Sequence, residues 1–555
     1  MNGISMLVVS SICLIIAYVF YGRYLARKWG IDPNRKTPAH EFNDGVDYVP
    51  ARRSIVFGHQ FATIAGAGPI NGPIIAAMFG WVPVLLWILI GGIFIGAVQD
   101  FAAMYASVKN KGRTIGYVIE LYIGKTGKKL FLLFVWLFSI LIIAAFADIA
   151  AGTFNGFAAG GETISANASV ATTSILFTVV AVGFGFYIRT KPNNVYLITV
   201  ALTLLTLCIA LGLWFPIFMT QSFWLYVVFA YIFIAAVSPV WMLMQPRDFL
   251  NAFLLLGLIV CAVVGVVVNN PTIHITPFAG FDVNGNYLFP MLFVMVACGA
   301  VSGFHALAAS TTASKQIDNE RDMLPVAFGS MLIESLVAVL ALIAVGAVAV
   351  GGIIPQEVPP VIFAKAIAVF LTGLGLPPNI VYTLIALAIS AFVLTTLDAV
   401  SRIGRLSFQE FFMTDEKPSL FIKIVCDKYF ATAITLLLGY LLALRGYQNI
   451  WSLFGSANQL LAALALIACA VFLKKTKRNG VMLYVPFGFM MLVTFSALAV
   501  SIFKLLAKLP GNFNVASDGV QLVFAILLLA LGIVLATRGI VALREKATAE
   551  MTKTA

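Results

Sequence analysis

Residues 57–100 read FGHQFATIAGAGPINGPIIAAMFGWVPVLLWILIGGIFIGAVQD, and this stretch decides how the rest of the chain is understood. Its first half is apolar and long enough to enter a membrane, yet its centre is Gly66-Ala67-Gly68-Pro69, followed by Asn71-Gly72-Pro73. In a helix interior each glycine costs roughly 1 kcal/mol and a proline about 3 kcal/mol relative to alanine. A simple membrane anchor has no use for such residues. Backbone groups freed by a break in lipid need partners, so broken helices persist where they line a cavity or are buried in protein. Discontinuous helices of this kind bind substrates and ions in secondary transporters.

Composition sets the context for that stretch. The 555 residues are 61% hydrophobic and 10% charged, with mean hydropathy +1.00, against about 45–50% apolar residues in an ordinary soluble domain. The sequence therefore predicts an all-α polytopic membrane protein. Its six cysteines form no CxxC pair and five lie inside apolar runs, which indicates neither a disulfide framework nor a zinc site. The N-terminal apolar run lacks a basic flank and a small-residue cleavage site, so it reads as a retained helix and not as a signal peptide.

At about 20 apolar residues per span, we expect about fifteen transmembrane segments: 5–24, 55–79, 81–107, 129–151, 170–188, 195–214, 223–243, 250–269, 288–310, 325–350, 380–405, 430–445, 450–473, 482–506 and 519–541. Of the 35 Lys and Arg residues, all but Lys365, Arg445, Lys504 and Lys508 then fall in loops on one side. By the positive-inside rule, Met1 lies outside and Ala555 inside. Topology thus accounts for the net charge of +12 without nucleic acid or another polyanion. Prolines at 355, 359, 360, 377 and 378 bracket a run read as an external helix lying on the mouth of the protein. Residues 115–123 read as a short amphipathic helix on the inner face.

A second interruption lies in residues 290–316, PMLFVMVACGAVSGFHALAASTTASKQ, where two glycines, a hydroxyl and a histidine occupy the centre of an apolar helix. By the span count the two broken segments run in opposite directions, which is the mark of an inverted repeat. The expected organisation is an N-terminal helix and inner loop (1–54), a first repeat (55–214) broken at 66–73, two inserted helices (215–287), a second repeat (288–473) broken at 299–303, and two C-terminal helices with an inner tail (474–555). Candidate substrate-binding residues are Gly66, Ala67, Gly68, Pro69, Asn71, Gly299, Ser302, Gly303 and His305. Half-helix N-termini favour a carboxylate, and unwound carbonyls accept a cation.

Few side chains within the spans can carry charge. Asp398 follows Thr395 and Thr396, and an intramembrane carboxylate of this kind reads as a proton carrier or cation ligand; the competing reading is an ion pair with Arg402 or Arg405 at helical spacing. Asp100, beside Gln99, is a second coupling candidate or an interfacial cap. Asp148 and Glu334 read first as groups paired with a neighbour. His59 and His305 lie on the two broken segments and can accept a coupling proton, or pack as ordinary helix histidines. The glycine-rich stretch 152–161 lacks the strand and helix of a nucleotide site.

The strings GHQFATIAGAGPINGPIIAAMFGW, GAVQDF, CGAVSGFHALAASTTASKQ and TTLDAVSRIGRLSFQEF resemble the carbon starvation protein A family of bacterial inner-membrane transporters, from about Asp47 to the 450–473 span. The resemblance implies proton-driven uptake of peptides during carbon starvation, or of pyruvate in some members. It also implies the amino acid–polyamine–organocation superfamily, with leucine-transporter-like inverted five-helix repeats and extra helices. Under it Gly66–Pro69 is the first unwound region and Gly299–Gly303 the second. Thr395 and Thr396 form the hydroxyl pair that closes a sodium site, where Asp398 is an added acid and a proton replaces sodium. No cofactor and no metal is expected; the coupling ion is H+, with Na+ the alternative. The partners are a small peptide or carboxylate substrate and the lipid bilayer, in the bacterial plasma membrane. Substrate and ion are expected between the two broken helices, with one bundle rocking against the rest. Against this symporter stand a passive channel, a membrane enzyme with a haem between His59 and His305, and a nutrient sensor. The sequence offers no continuous polar path, no HExxH pair and no soluble output domain to support them. Oligomeric state is not legible from the sequence.

Overall fold

The computed structural model describes residues 2–44, 48–158, 160–190, 197–238, 240–413, 419–509, 513–514 and 518–545. Its principal helices are α1 (Gly3–Lys28), α2 (Arg53–Ile64), α3 (Gly68–Ala76), α4 (Trp81–Lys109), α5 (Ile115–Ile123), α6 (Lys125–Phe154), α7 (Ser165–Thr190), α8 (Leu197–Trp214), α9 (Gln221–Val237) and α10 (Val240–Asn269). There follow α11 (Leu288–Met295), α12 (Gly303–Thr311), α13 (Glu320–Val348), α14 (Pro359–Leu371), α15 (Pro378–Phe412), α16 (Lys428–Ala443), α17 (Tyr447–Lys475), α18 (Val481–Leu506) and α19 (Val520–Arg544). A two-residue-per-strand hairpin, Asp282–Val283 with Asn286–Tyr287, precedes α11.

Each expected segment overlaps helix, with the span 288–310 interrupted between Met295 and Gly303; residues 195 and 196 of the span 195–214 and residue 239 of the span 223–243 lie outside the described residues. Among the described residues nine helices are long and apolar enough to cross a membrane, and the bent pair α2–α3 makes a tenth. Five shorter apolar helices accompany them. This is an all-α, multi-pass membrane protein.

The helices group into two compact units. The first comprises residues 1–5, 139–275 and 343–450. Within it α15 is central, packing against α7, α9, α10, α14 and α16. The second comprises residues 6–138, 276–342 and 451–555 and contains both broken segments. In it α12 packs along α4 and beside α2, α11 packs on α3 and α18, and α18 on α19.

Two expectations change. The run at 353–376 is not a helix lying on a surface: nearly all of α14 is buried against α10 and α15, with only Lys365 and Val369 exposed. A helix apolar on nearly every side, with Lys365 its one charged residue, has little face to give to water, which is why it is enclosed. The loop expected between 243 and 250 is also absent, since α10 runs unbroken from Val240 to Asn269 through Pro246. Its consequence is that Arg247 becomes a fully buried helical residue, 1% exposed.

Candidate functional site

The first break is a short one. Helix α2 ends at Ile64, Ala65 leaves helical geometry with φ −75° and ψ 55°, and α3 restarts at Gly68 after a bend of 43°. Pro69 stands in the first turn of α3, where the missing N–H costs no intrahelical bond. Everything from Ile64 to Ile74 is buried. The second break is longer: α11 ends at Met295, Val296 takes φ −92° and ψ 70°, and α12 begins at Gly303 behind an extended Ser302.

These two breaks lie against each other. A Cβ on Gly68 would collide with the Cβ and Sγ of Cys298, and one on Gly72 would stand 2.8 Å from the Met295 carbonyl oxygen. Gly299 in turn approaches Pro69, with 3.7 Å from its Cβ direction to the Pro69 Cα. Gly68 and Gly72 are therefore explained by close approach of the second broken segment, its Cys298 side chain in one case and its backbone in the other, whereas the tight contact at Gly299 is the Ala338 Cβ of α13 at 2.5 Å. Gly303 serves the same purpose against α17, where a side chain would strike the backbone of Asn458 and Ala462.

Asn458 holds the second break in shape. Its Oδ1 accepts from Phe304 N–H at 3.2 Å, and its Nδ2 donates to Ser302 Oγ at 3.1 Å and to Cys298 Sγ at 3.7 Å. From α4, Gln99 Nε2 donates to the Ser302 carbonyl at 2.7 Å. Several buried amide atoms in this unit have no hydrogen-bond partner among the described residues: both polar atoms of Asn71, Nε2 of Gln60, Oε1 of Gln99 and Oε1 of Gln459. Buried polar groups are ordinarily hydrogen-bonded, and exceptions call for an explanation such as a ligand or water.

One turn into α12, the His305 ring bridges two acids. Its Nδ1 lies 3.0 Å from Asp100 Oδ2 on α4, and its Nε2 lies 3.2 Å from Glu334 Oε2 on α13, the latter at an angle short of a hydrogen bond. All three side chains are 0–1% exposed. Asp100 and Glu334 occupy matching places in the chain, each on the long helix next after a break. The other histidine of the broken segments, His59, is half-buried on α2 and joins no ion pair among the described residues.

The remaining candidates belong to the first unit. Asp398 on α15 pairs neither with Arg402 nor with Arg405. Its Oδ2 accepts from Arg247 Nη1 at 2.9 Å and from Tyr231 OH at 2.7 Å, and Arg402 donates instead to the carbonyls of Ala235 and Ser238. Thr395 Oγ1 accepts from Asn251 Nδ2 at 2.6 Å and donates to the Ala391 carbonyl at 2.9 Å; Thr396 is buried beside it. Asp148 is an end-of-helix anchor, accepting from Gln221 Nε2 at 2.8 Å and from Tyr447 N–H at 2.7 Å.

Sequence reasoning did not single out Arg247, Tyr231, Gln60, Asn458 or Gln459. The dipeptide Pro246-Arg247 reads as a loop on a basic inner face, and only the continuous helix reveals it as buried. For Asn458 a signal was present: Gly455-Ser456-Ala457-Asn458-Gln459 is a small and polar run inside an otherwise apolar helix.

The family model for carbon starvation protein CstA matches residues 2–361 and 350–497. The peptide transporter CstA of Escherichia coli (strain K12) is 32% identical over 581 residues, covering 88% of this chain and 80% of that protein. The peptide transporter CstA of Bacillus subtilis (strain 168) is 33% identical, covering 86% of each. The pyruvate/proton symporter BtsT of Escherichia coli (strain K12) is 31% identical over 92% of this chain and 83% of its own length. Among solved structures, MhsT in complex with L-phenylalanine aligns over 87% of this chain and 99% of its own with 13% identity and a TM-score of 0.48. A manganese transporter of Eremococcus coleocola reaches 0.46 over 89% and 97%. At that level neither structure carries a residue-by-residue correspondence. The identities and the extent of the family match establish that the chain belongs to the carbon starvation protein CstA family.

Proposed function

We propose that this protein is a secondary active transporter that imports small peptides across the bacterial inner membrane, driven by protons, with Met1 outside and Ala555 inside. The observation that carries the reading is the mutual packing of two unwound helix segments around Gly68 and Cys298, with the buried amide of Asn71 left unpartnered beside them. A peptide's carboxylate, amide groups and amine match the first-turn N–H groups of α3, the unpartnered amides and the free carbonyls of such breaks. The relatives named as peptide transporters support that substrate class.

The order of elements supports two inverted repeats: after each break come a long helix, a short helix and three further helices, α4 to α8 in one case and α13 to α17 in the other. In this reading residues 55–214 and 288–473 are the repeats. The basic residues crowded into one set of loops support the orientation.

A second reading, pyruvate as the substrate, rests on the 31% identity to the pyruvate/proton symporter across 92% of this chain. Exchange in liposomes separates the two. Vesicles containing the purified protein are loaded with unlabelled dipeptide or pyruvate and offered the labelled form. Dipeptide exchange is the expected result, and Asn71→Leu weakens it. Exchange of pyruvate alone moves the substrate class, and exchange of neither contradicts the transporter reading.

A further inference from the structure

We propose that the buried cluster Asp100–His305–Glu334 is the site that takes up and releases the coupling proton, an assignment that rests on the transporter reading above. The argument begins with geometry. One imidazole sits between two carboxylates, 3.0 Å from Asp100 and 3.2 Å from Glu334, and the whole cluster is withdrawn from solvent. Among the described residues, Asp100 Oδ1 and Glu334 Oε1 have no hydrogen-bond partner. An imidazole between two carboxylates is an arrangement of groups that exchange protons.

Charge bookkeeping then limits what the cluster does. With an imidazolium and two carboxylates it carries one net negative charge; after one more proton it is neutral. A buried charge left without balance costs several kcal/mol, so a single proton changes the energy of this site strongly. Charged and titratable groups on the elements packed around it include these. From α2 the titratable neighbour is His59, which joins no ion pair among the described residues. On α5, Glu120 is paired with Lys128 at 2.8 Å and Tyr122 OH donates to Asn110 Oδ1 at 3.4 Å. Lys315, beyond the end of α12, lies over the Tyr48 ring. The part of α17 against α12 brings the neutral Asn458 and Gln459, and the second break itself brings the Cys298 thiol.

Proton count also decides which helices are tied together. A protonated imidazole carries a donor on each nitrogen, one bonded to Asp100 on α4 and one within 3.2 Å of Glu334 on α13. A neutral ring has one donor and one acceptor. Its acceptor nitrogen then faces a carboxylate favourably only if that carboxylate holds the proton. Because Gly303 begins α12 directly after the second break and His305 follows two residues later, the state of the ring bears directly on the unwound segment. The proton arrives from the medium on one side, forms an O–H or N–H bond within the cluster, and leaves to the medium on the other side. No other bond is made or broken.

The test uses the full-length protein in liposomes and reads two quantities, dipeptide exchange without a gradient and dipeptide accumulation driven by an imposed proton gradient. Glu334→Gln and Asp100→Asn are expected to let dipeptide equilibrate without accumulating it, and Glu334→Asp to restore part of the accumulation. Glu357→Gln, in an exposed pair with Lys365, serves as a control that accumulates normally. A purely structural role would lower stability and both readouts together. Undiminished accumulation in Glu334→Gln or Asp100→Asn overturns the assignment. Should these variants fail to fold, the unaltered protein in weakly buffered detergent must take up about one proton when dipeptide binds; binding without proton uptake overturns it equally. Failure of the unaltered protein to exchange either dipeptide or pyruvate overturns the transporter reading itself.

Discussion

Arg247 Nη1 lies 2.9 Å from Asp398 Oδ2, with both side chains about 1% exposed, and Tyr231 OH donates to the same oxygen. The acid that draws attention in the sequence is thus already neutralised by a guanidinium one helix away. Removing one partner of such a buried pair leaves the other charge uncompensated, at a cost of about 3–5 kcal/mol. Asp398→Asn is therefore expected to lower the unfolding temperature in detergent sharply. The double variant Arg247→Met with Asp398→Leu recovers most of the loss, because apolar replacements of both partners are near neutral. A single variant as stable as the unaltered protein would show that the pair contributes little.

Gly68 tests the approach of the two breaks. Gly68→Ala pushes a methyl group into Cys298, and overpacking of this kind costs about 1–3 kcal/mol. Dipeptide exchange should fall, and adding Cys298→Gly should restore part of it by vacating the space. Full exchange in Gly68→Ala alone would mean that the two unwound segments separate freely.

Asn458 is expected to matter through hydrogen bonds and not volume. Asn458→Leu strands Ser302 Oγ and the Phe304 N–H, each at about 1–3 kcal/mol. Asn458→Asp keeps the acceptor for Phe304 but loses the donor to Ser302 and Cys298. The order of stability measured by thermal unfolding should be wild type, then Asp, then Leu, provided the aspartate is read at a pH where it is protonated or paired.

At the C-terminal end of α4, Lys109 Nζ donates to Glu320 Oε1 at 2.5 Å with both side chains 1–2% exposed, and Asp32 N–H donates to the second oxygen at 2.9 Å. Glu320→Gln leaves the ammonium buried without its counter-charge. A loss of about 3–5 kcal/mol follows, seen as unfolding at lower temperature or denaturant. Lys428→Ala, at the exposed start of α16, should leave the unfolding transition in place.

How much of this was legible in the sequence depends on range. The breaks at Gly66–Pro69 and Gly299–Gly303 were visible because glycine and proline in an apolar run are local signals. The helices were visible because apolar length is one as well. His305, Asp100 and Glu334 could each be named from the sequence, but not as one cluster, since Asp100 and His305 are 205 residues apart and no spacing rule joins them. Helical spacing misdirected attention for Asp398, suggesting Arg402 on its own helix when the partner is Arg247, 151 residues away on α10. That partner was hidden by a proline that ordinarily ends a helix and here does not. The run around α14 was misplaced because its prolines mark where it starts and ends, not what covers it.

The most direct measurement is accumulation of labelled dipeptide by liposomes containing the purified protein, under a proton gradient and, separately, a sodium gradient. The account predicts accumulation above the external concentration with the proton gradient alone, and its collapse when a protonophore is added. Accumulation that follows sodium, or dipeptide that merely equilibrates under both gradients, would contradict it.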